Sequence, residues 1–288
     1  MLSSIQKTTI RPAHEEDRQP LANLIHFEAH VHRHLDWRPP LNWLGYHPYL
    51  TIERNGKFLA ALACPPDPPN VAWIRLFAVS SGIGVPNAWN QLWAAAREQL
   101  LADNPGQLKA AAIPLQGWFR SLLEKSDFSL THRVVVLSWM RGEEPPEEKH
   151  NGFIIRPMNY DDLSSVESVD AASFSLVWQN SRPCLEMAFN QAAVATVVEG
   201  TDGLVGYQIS TSGPMGGHLA RLAVHPDHQG KGIGYSLLRD LLVQFKRRGI
   251  LSVTVNTQHD NRASMALYEK VGFRRTGEEY PVYQCDLR

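Results

Sequence analysis

The residues best placed to do chemistry lie in the run Val224-His225-Pro226-Asp227-His228-Gln229-Gly230-Lys231-Gly232-Ile233-Gly234. Glycines at alternate positions, Gly230, Gly232 and Gly234, let backbone N–H groups turn toward one point and let a ligand approach without meeting a Cβ. A helix opening at Ile233 or Gly234 adds unsatisfied N–H donors and the positive end of its dipole. Together these suit a phosphate-bearing ligand. Two common phosphate loops do not fit. The nucleotide-triphosphate loop needs G-x-x-x-x-G-K-[ST], and no Ser or Thr follows a Gly-Lys pair at that spacing. The dinucleotide loop needs G-x-G-x-x-G and an acidic residue about twenty positions on. Here the spacing is G-x-G-x-G, and the next apolar run, residues 250–255, ends at Asn256.

Flanking residues show which elements must hold this loop. Residues 219–224 are an apolar, strand-like run leading into it. Ile233, Leu237, Leu238, Leu241, Leu242 and Phe245 then fall at helical spacing and predict an amphipathic helix of about four turns. Lys246, Arg247 and Arg248 charge its last turn, and Gly249 ends it. Leu251, Val253 and Val255 alternate with Ser252 and Thr254, the pattern of a half-buried strand. Asn261 opens a second helix containing Ala263, Ala266, Leu267 and Tyr268, closed by Lys270-Val271-Gly272-Phe273.

The pattern Gln229-x-x-Gly232-x-Gly234 resembles the Q/R-x-x-G-x-G/A motif of the GNAT acetyltransferases. Residues 260–273 resemble that family's N-x-x-A-x-x-x-Y-x-x-x-G-F segment, and two motifs in order are more specific than either alone. The resemblance implies acetyl-CoA as cosubstrate, its pyrophosphate held by the backbone of Gln229, Gly230, Lys231, Gly232, Ile233 and Gly234. It implies that amides of Leu222, Ala223 and Val224 reach the pantetheine and the thioester oxygen as an oxyanion-type donor set. The same three side chains can simply fill the core. Asn261 matches the asparagine that touches the pantetheine arm, and it equally suits a helix N-cap. Tyr268 matches the tyrosine that, in many members, protonates the coenzyme A thiolate as general acid. A phenol with a pKa of about 10 suits that step; the alternative is an aromatic packed beneath the sheet.

The carboxy-terminal half further resembles the ribosomal-protein-alanine acetyltransferases in its Leu-Tyr-Glu segment, and those carry a glutamate where Asn256 stands. Asparagine takes no proton at neutral pH, so Asn256 is expected to position substrate or a water. Candidate bases are His225, His218, or a water reached from a carboxylate such as Glu279. In this family acceptor selection comes from the first helices and the final hairpin, here residues 174–180 and 278–283. Phe174 and Trp178 either line that cleft or pack as an (i, i+4) pair. Glu278 and Glu279 either meet a cationic amine or are merely solvated.

At 288 residues the chain suits two domains. Its 43% hydrophobic and 20% charged content is that of a globular protein, and a net charge of -1 argues against a nucleic-acid partner. Cys64, Cys184 and Cys285 form no C-x-x-C pair, and no metal is expected. No apolar run reaches membrane-spanning length, and residues 1–9 lack a secretory core, so a cytoplasmic protein without a membrane partner is expected.

An internal repeat organises the chain. Residues 9–13 match residues 154–158 at a shift of 145 (155 minus 10), and Asp17 then falls on Asp162. In the same register Ala78-Val79 falls on Ala223-Val224, and residues 124–128 fall on 269–273. The expected fold is α/β (α+β): two tandem GNAT folds, each a mixed, mostly antiparallel central sheet flanked by helices. Residues 1–140 form a degenerate GNAT-like domain, 141–151 an acidic, Pro-containing linker, and 152–288 the acetyl-CoA-binding catalytic domain. Gln229, Gly232 and Gly234 project onto Gly84, Asn87 and Trp89, and Tyr268 onto Leu123, which has no proton to give. Trp89 in place of a loop glycine would obstruct a ligand, and Pro86 removes an amide. The expected function is N-acetyltransfer to a primary amine of a small molecule or peptide by direct attack, confined to the second domain. The alternative is a non-catalytic acyl-CoA-binding regulatory or scaffold protein. The repeat suits a monomer with an internal pseudo-dimer, or a homodimer.

Overall fold

Arg11 and Arg156 begin the two halves of the chain in the same way. Arg11 donates to both carboxylate oxygens of Asp17 (2.7 and 2.9 Å) and to Glu53 (3.1 Å). Arg156 does the same with Asp162 (2.7 and 2.7 Å) and Glu199 (2.6 Å). Such bidentate, charge-assisted pairs fix a strand to the helix that follows it. The computed structural model describes residues 8–104, 106–142, 145, 153–201 and 203–287, so most of the expected linker lies outside the described residues. The chain divides into two compact units, unit 1 within residues 1–131 and 281–288, unit 2 within 132–280.

Unit 1 runs β1 (Thr9–Pro12), α1 (Arg18–Phe27), β2 (His30–Arg33), β3 (Tyr49–Arg54), β4 (Lys57–Ala63), β5 (Val71–Trp73), β6 (Leu76–Val79), α2 (Val85–Asp103), β7 (Leu108–Ala112) and α3 (Gly117–Glu124). β8 (Ser129–Met140) starts in unit 1 and continues into unit 2. One sheet has the antiparallel order β1-β3-β4-β6-β2, while β5 pairs parallel with β7. Trp89 and Trp93 of α2 stack at 5.6 Å in a core with Phe77, Phe119 and Phe128. Burying each such side chain contributes roughly 1.5–3 kcal/mol.

Unit 2 contains β9 (Ile154–Pro157), α4 (Leu163–Ser173), α5 (Arg182–Asn190), β10 (Val194–Gly200), β11 (Gly203–Gly213), β12 (Gly216–Val224), α6 (Ile233–Arg247), β13 (Ser252–Gln258) and α7 (Arg262–Val271). The last strand, β14 (Arg274–Leu287), begins here and ends in unit 1. The sheet order β8-β13-β12-β11-β10-β9 is antiparallel except for the parallel β12–β13 pair. The predicted apolar stripe of α6 is buried: Leu237, Leu238, Leu241, Leu242 and Phe245 are at most 1% exposed.

The units do not follow the expected bounds of 1–140 and 152–288. Val134 to Met140 of β8 pair with β13 in unit 2, and Tyr283 to Leu287 of β14 pair with β7 in unit 1. Each core accordingly takes apolar residues from the borrowed strand: Val135, Leu137 and Trp139 in unit 2, Tyr283, Cys285 and Leu287 in unit 1. The expected final hairpin is therefore one continuous strand, and only its first part, to Tyr280, belongs with unit 2.

Candidate functional site

β12 is the strand on which the site is built. It pairs with β13 only at Gly217, His218 and Leu219, while its pairing with β11 continues to Val224. A bulge at Ala220, between the Leu219–Ser210 and Arg221–Ile209 pairs, marks the point where β12 and β13 part. His225 N–H donates to the Val205 carbonyl at 2.8 Å, which sets the phase of the antiparallel ladder. Alternation then turns the N–H groups of Ala223 and Arg221 toward β11 and those of Leu222 and Val224 toward the open side. Of the three expected donors, Ala223 is thus occupied within the sheet. The Val224 carbonyl on the open side accepts from Ser173 Oγ (3.1 Å) and Gln229 Nε2 (3.0 Å).

The glycine-rich turn leads from this strand into α6. Gly230 and Gly232 adopt φ of +76° and +77°, a region that side chains disfavour, and Gly232 is the N-cap of α6 without any side-chain cap. The first-turn amides of α6, beginning at Ile233, have no carbonyl inside the helix to bond. Gly234 has a different task. A Cβ there would meet Leu267 of α7 at 3.2 Å and Leu222 and Val224 of β12 at 3.8 Å, so it permits close packing of helix on strand. Lys231 Nζ donates to the Asp227 carbonyl at 3.0 Å and braces the turn from below. The residues therefore fit an extended ligand with an anionic end: open strand amides, then a left-handed turn, then a helix start.

Tyr268 of α7 is 5% exposed and lies beside Phe273, ring centroids 5.7 Å apart. Burial pushes its phenol above the ordinary tyrosine range, so it holds its proton at neutral pH. Asn261 is the N-cap of α7, its Oδ1 accepting from Ser264 N–H at 3.1 Å. Asn256 is exposed on β13, opposite Val136 of β8. His225 caps a short turn at Pro226–His228: its Nδ1 accepts from Asp227 N–H at 3.4 Å, which leaves the hydrogen on Nε2. His218 Nδ1 lies 2.9 Å from Thr254 Oγ1, and burial lowers its pKa, which keeps it neutral. Glu279 sits 3.8 Å from Arg133, and Glu278 accepts from the Tyr280 hydroxyl at 2.9 Å.

Sequence reasoning missed a buried polar group beside this cleft. Asp170 of α4 and Tyr207 of β11 are fully buried, and the tyrosine hydroxyl donates to Asp170 Oδ2. Arg221 of β12 donates through Nε to the same oxygen (2.7 Å) and through Nη2 to the Trp178 carbonyl (2.6 Å). Its guanidinium lies 3.6 Å over the Phe174 ring, and Asp170 Oδ1 accepts from Asn180 N–H at 2.8 Å. Phe174 and Trp178 are accordingly not a helical pair: Phe174 is the extended C-cap of α4, and Trp178 ends a short 3-10 turn, its ring 6.1 Å from His132 of β8. The available signal was an acid, a phenol and a cation at positions where the repeat places apolar residues.

In unit 1 the corresponding strand edge is taken. β2 pairs antiparallel with β6, His30 opposite Val79 and His32 opposite Phe77. His34 N–H donates to the Arg75 carbonyl at 3.0 Å, so the ladder phase assigns the N–H groups of Phe77 and Val79 to β2. These are the repeat equivalents of Leu222 and Val224. Trp89 does not obstruct a loop as expected. α2 begins at Val85, three residues earlier than α6 in the repeat register, so Trp89 is an interior helix residue in the core, its Nε1 donating to Ser126 Oγ at 2.9 Å.

Among the described residues no group of three His, Cys, Asp or Glu side chains could hold a metal ion, and no helix is long and apolar enough to cross a membrane. Residues 163–273 match the model of the acetyltransferase (GNAT) family. The chain is 42% identical over 85 residues, 28% of its length, to the N-alpha-acetyltransferase RimI of Mycobacterium tuberculosis. It is 38% identical over 55 residues, 19% of its length, to the ribosomal protein bS18 alanine N-acetyltransferase of Escherichia coli. It spans 52% and 37% of the lengths of these relatives. A tandem GNAT protein from the clavulanic acid biosynthesis pathway shares the fold over 98% of this chain and 99% of its own, with TM-score 0.64 and 15% identity. The chain thus has a tandem GNAT fold, and within it residues 163–273 match the acetyltransferase (GNAT) family model.

Proposed function

We propose that unit 2 is an acetyl-CoA-dependent N-acetyltransferase acting on a primary amine of a small molecule or a peptide. The observation that carries this reading is the open edge of β12, where Leu222 and Val224 turn their N–H groups to a side with no strand partner among the described residues. An extended thioester arm suits that edge, with its diphosphate at Gly230, Gly232 and the start of α6. The strand amides would stabilise negative charge on the thioester oxygen as the amine attacks. The new C–N bond forms and the C–S bond breaks; Tyr268 gives its proton to the departing thiolate, and the proton lost from the amine nitrogen passes to water, from which the phenol is restored. Asn256 positions the acceptor or a water. A cytoplasmic setting suits the buried thiols Cys64 and Cys285.

The second reading, an acyl-CoA-binding protein without turnover, is favoured by Asn256, which is not an acid or base. A thiol-release assay with acetyl-CoA against a panel of amines and peptide N-termini separates the two. The enzyme reading expects acceptor-dependent thiol release. Tyr268→Phe should lower kcat about 100-fold while leaving acetyl-CoA affinity unchanged. Tight acetyl-CoA binding with no release for any acceptor would leave only the second reading.

A further inference from the structure

Asp170, Tyr207 and Arg221 form a buried ionic cluster in unit 2 at positions that unit 1 fills with hydrocarbon. Ladder registers identify the counterparts: Ala223 lies opposite Tyr207 as Ala78 lies opposite Ala61, and Arg221 opposite Ile209 as Leu76 opposite Ala63. Asp170 falls on Ile25 at the shift of 145. Ile25, Ala61 and Leu76 are buried together in one apolar cluster. The segment after the first helix differs in step with them. In unit 1 it is β2, paired along β6; in unit 2 the equivalent residues hold a 3-10 turn, Leu176–Trp178.

We propose that Asp170, Tyr207 and Arg221 are positioning residues that latch the segment 174–180 away from strand pairing and so keep the Leu222 and Val224 amides open. The proposal rests on the reading of that edge as the acetyl-CoA track. Strand addition needs free backbone groups on the incoming segment. Here the Trp178 carbonyl is held by Arg221 and the Asn180 N–H by Asp170. Gln179 adds bonds from its Nε2 to the Ala171 (3.0 Å) and Phe174 (2.9 Å) carbonyls, and Arg221 covers the Phe174 ring. Pairing the segment with β12 would break these charge-assisted bonds and leave Asp170 and Arg221 buried without full partners, which is strongly unfavourable. In unit 1 the counterpart positions Ile25, Ala61 and Leu76 are apolar, and there the edge is occupied.

The test uses the full chain in two variants. Asp170→Leu, Tyr207→Phe and Arg221→Met together replace the whole ionic group by apolar side chains of similar size, an exchange that buried ion clusters tolerate. Arg221→Lys keeps the charge beside Asp170 but loses the guanidinium fork that also reaches Trp178. Amide hydrogen exchange at Leu222 and Val224, without ligand, is expected to slow about 10-fold or more in the triple variant and about 3-fold in Arg221→Lys as the released segment covers the edge. Acetyl-CoA affinity, measured by calorimetry, should fall about 10-fold in the triple variant because the open form becomes the minor one. Unchanged exchange at both amides in both variants overturns the latch, whatever the affinities. A wild-type chain that binds no acetyl-CoA overturns the functional reading instead, and the exchange comparison still decides the latch.

Discussion

Unit 1 and unit 2 carry the same pair of strand amides, Phe77 and Val79 in one, Leu222 and Val224 in the other, and use them differently. In unit 1 they bond to β2; in unit 2 they face a side with no strand among the described residues. Much else is duplicated, including the arginine that binds an aspartate six residues on and a glutamate from a neighbouring strand. The comparison teaches that this strand edge can be closed without loss of the fold around it. Where it is closed, one segment pairs instead of turning, and apolar side chains stand at the positions of Asp170, Tyr207 and Arg221. In unit 1, α2 also starts earlier, with Trp89 built into the core.

The largest effect should come from Gly232→Trp. At φ +77° the new side chain is strained and stands where the diphosphate would lie. Acetyl-CoA affinity by calorimetry is expected to fall at least about 1,000-fold, or about 4 kcal/mol. The matched substitution in unit 1, Asn87→Trp, is exposed and should leave affinity unchanged; an equal loss there would move the site out of unit 2. Next in size is Trp89→Ala. Trp89 is 1% exposed among Phe77, Trp93, Phe119 and Phe128, so its truncation should cost about 3–4 kcal/mol in denaturant unfolding. Affinity should hold where the chain stays folded. A stable Trp89→Ala protein with weakened affinity would mean that unit 1 shares in the site.

The phosphate-type turn, α6, β13 and α7 were legible because their signals are local: left-handed glycines, an apolar stripe, an asparagine cap and a closing glycine. The repeat was legible because Arg11, Asp17, Val79 and Phe128 kept their spacing. Strand partnership was not. Nothing in residues 129–140 or 274–287 says which sheet each will join, since that depends on edges hundreds of atoms away in sequence and on apolar faces common to both units. The direction of the Ala223 amide was hidden for the same reason, because only the ladder phase with β11 sets it. Asp170, Tyr207 and Arg221 form no motif; they are scattered over a helix and two strands, and only folding brings their charges together.

The smallest predicted effect probes the strand that closes unit 1. His32 of β2 is fully buried, stacked on Phe119 at 4.1 Å, with Nε2 3.1 Å from the Ile74 carbonyl. Burial pushes its pKa down to about 4, against an ordinary value near 6.5, with the Ile74 carbonyl opposing. His34 is lowered as well, first by burial and then by the charge of Arg75, and acts in the same direction. The folded state therefore disfavours the protonated ring, and the unfolded chain binds more protons across this range. Stability is full above about pH 6.5 and is lost as pH falls toward 4, by roughly 3 kcal/mol for His32 alone. Asp17 adds little in that window: Arg11 holds its folded carboxyl below the usual carboxylate range, so its stabilisation is lost mainly as pH falls through about 4 and below. His32→Gln cannot take up the proton and should flatten the acid limb of stability against pH by about that amount, leaving a remainder from His34. Hydrogen exchange at Phe77 and Val79, compared at pH 5 and pH 7 after correction for intrinsic rates, should show β2 loosening in the wild type and not in the variant. An acid limb of equal slope in His32→Gln would assign the loss to other groups and separate the closing strand from any response to pH.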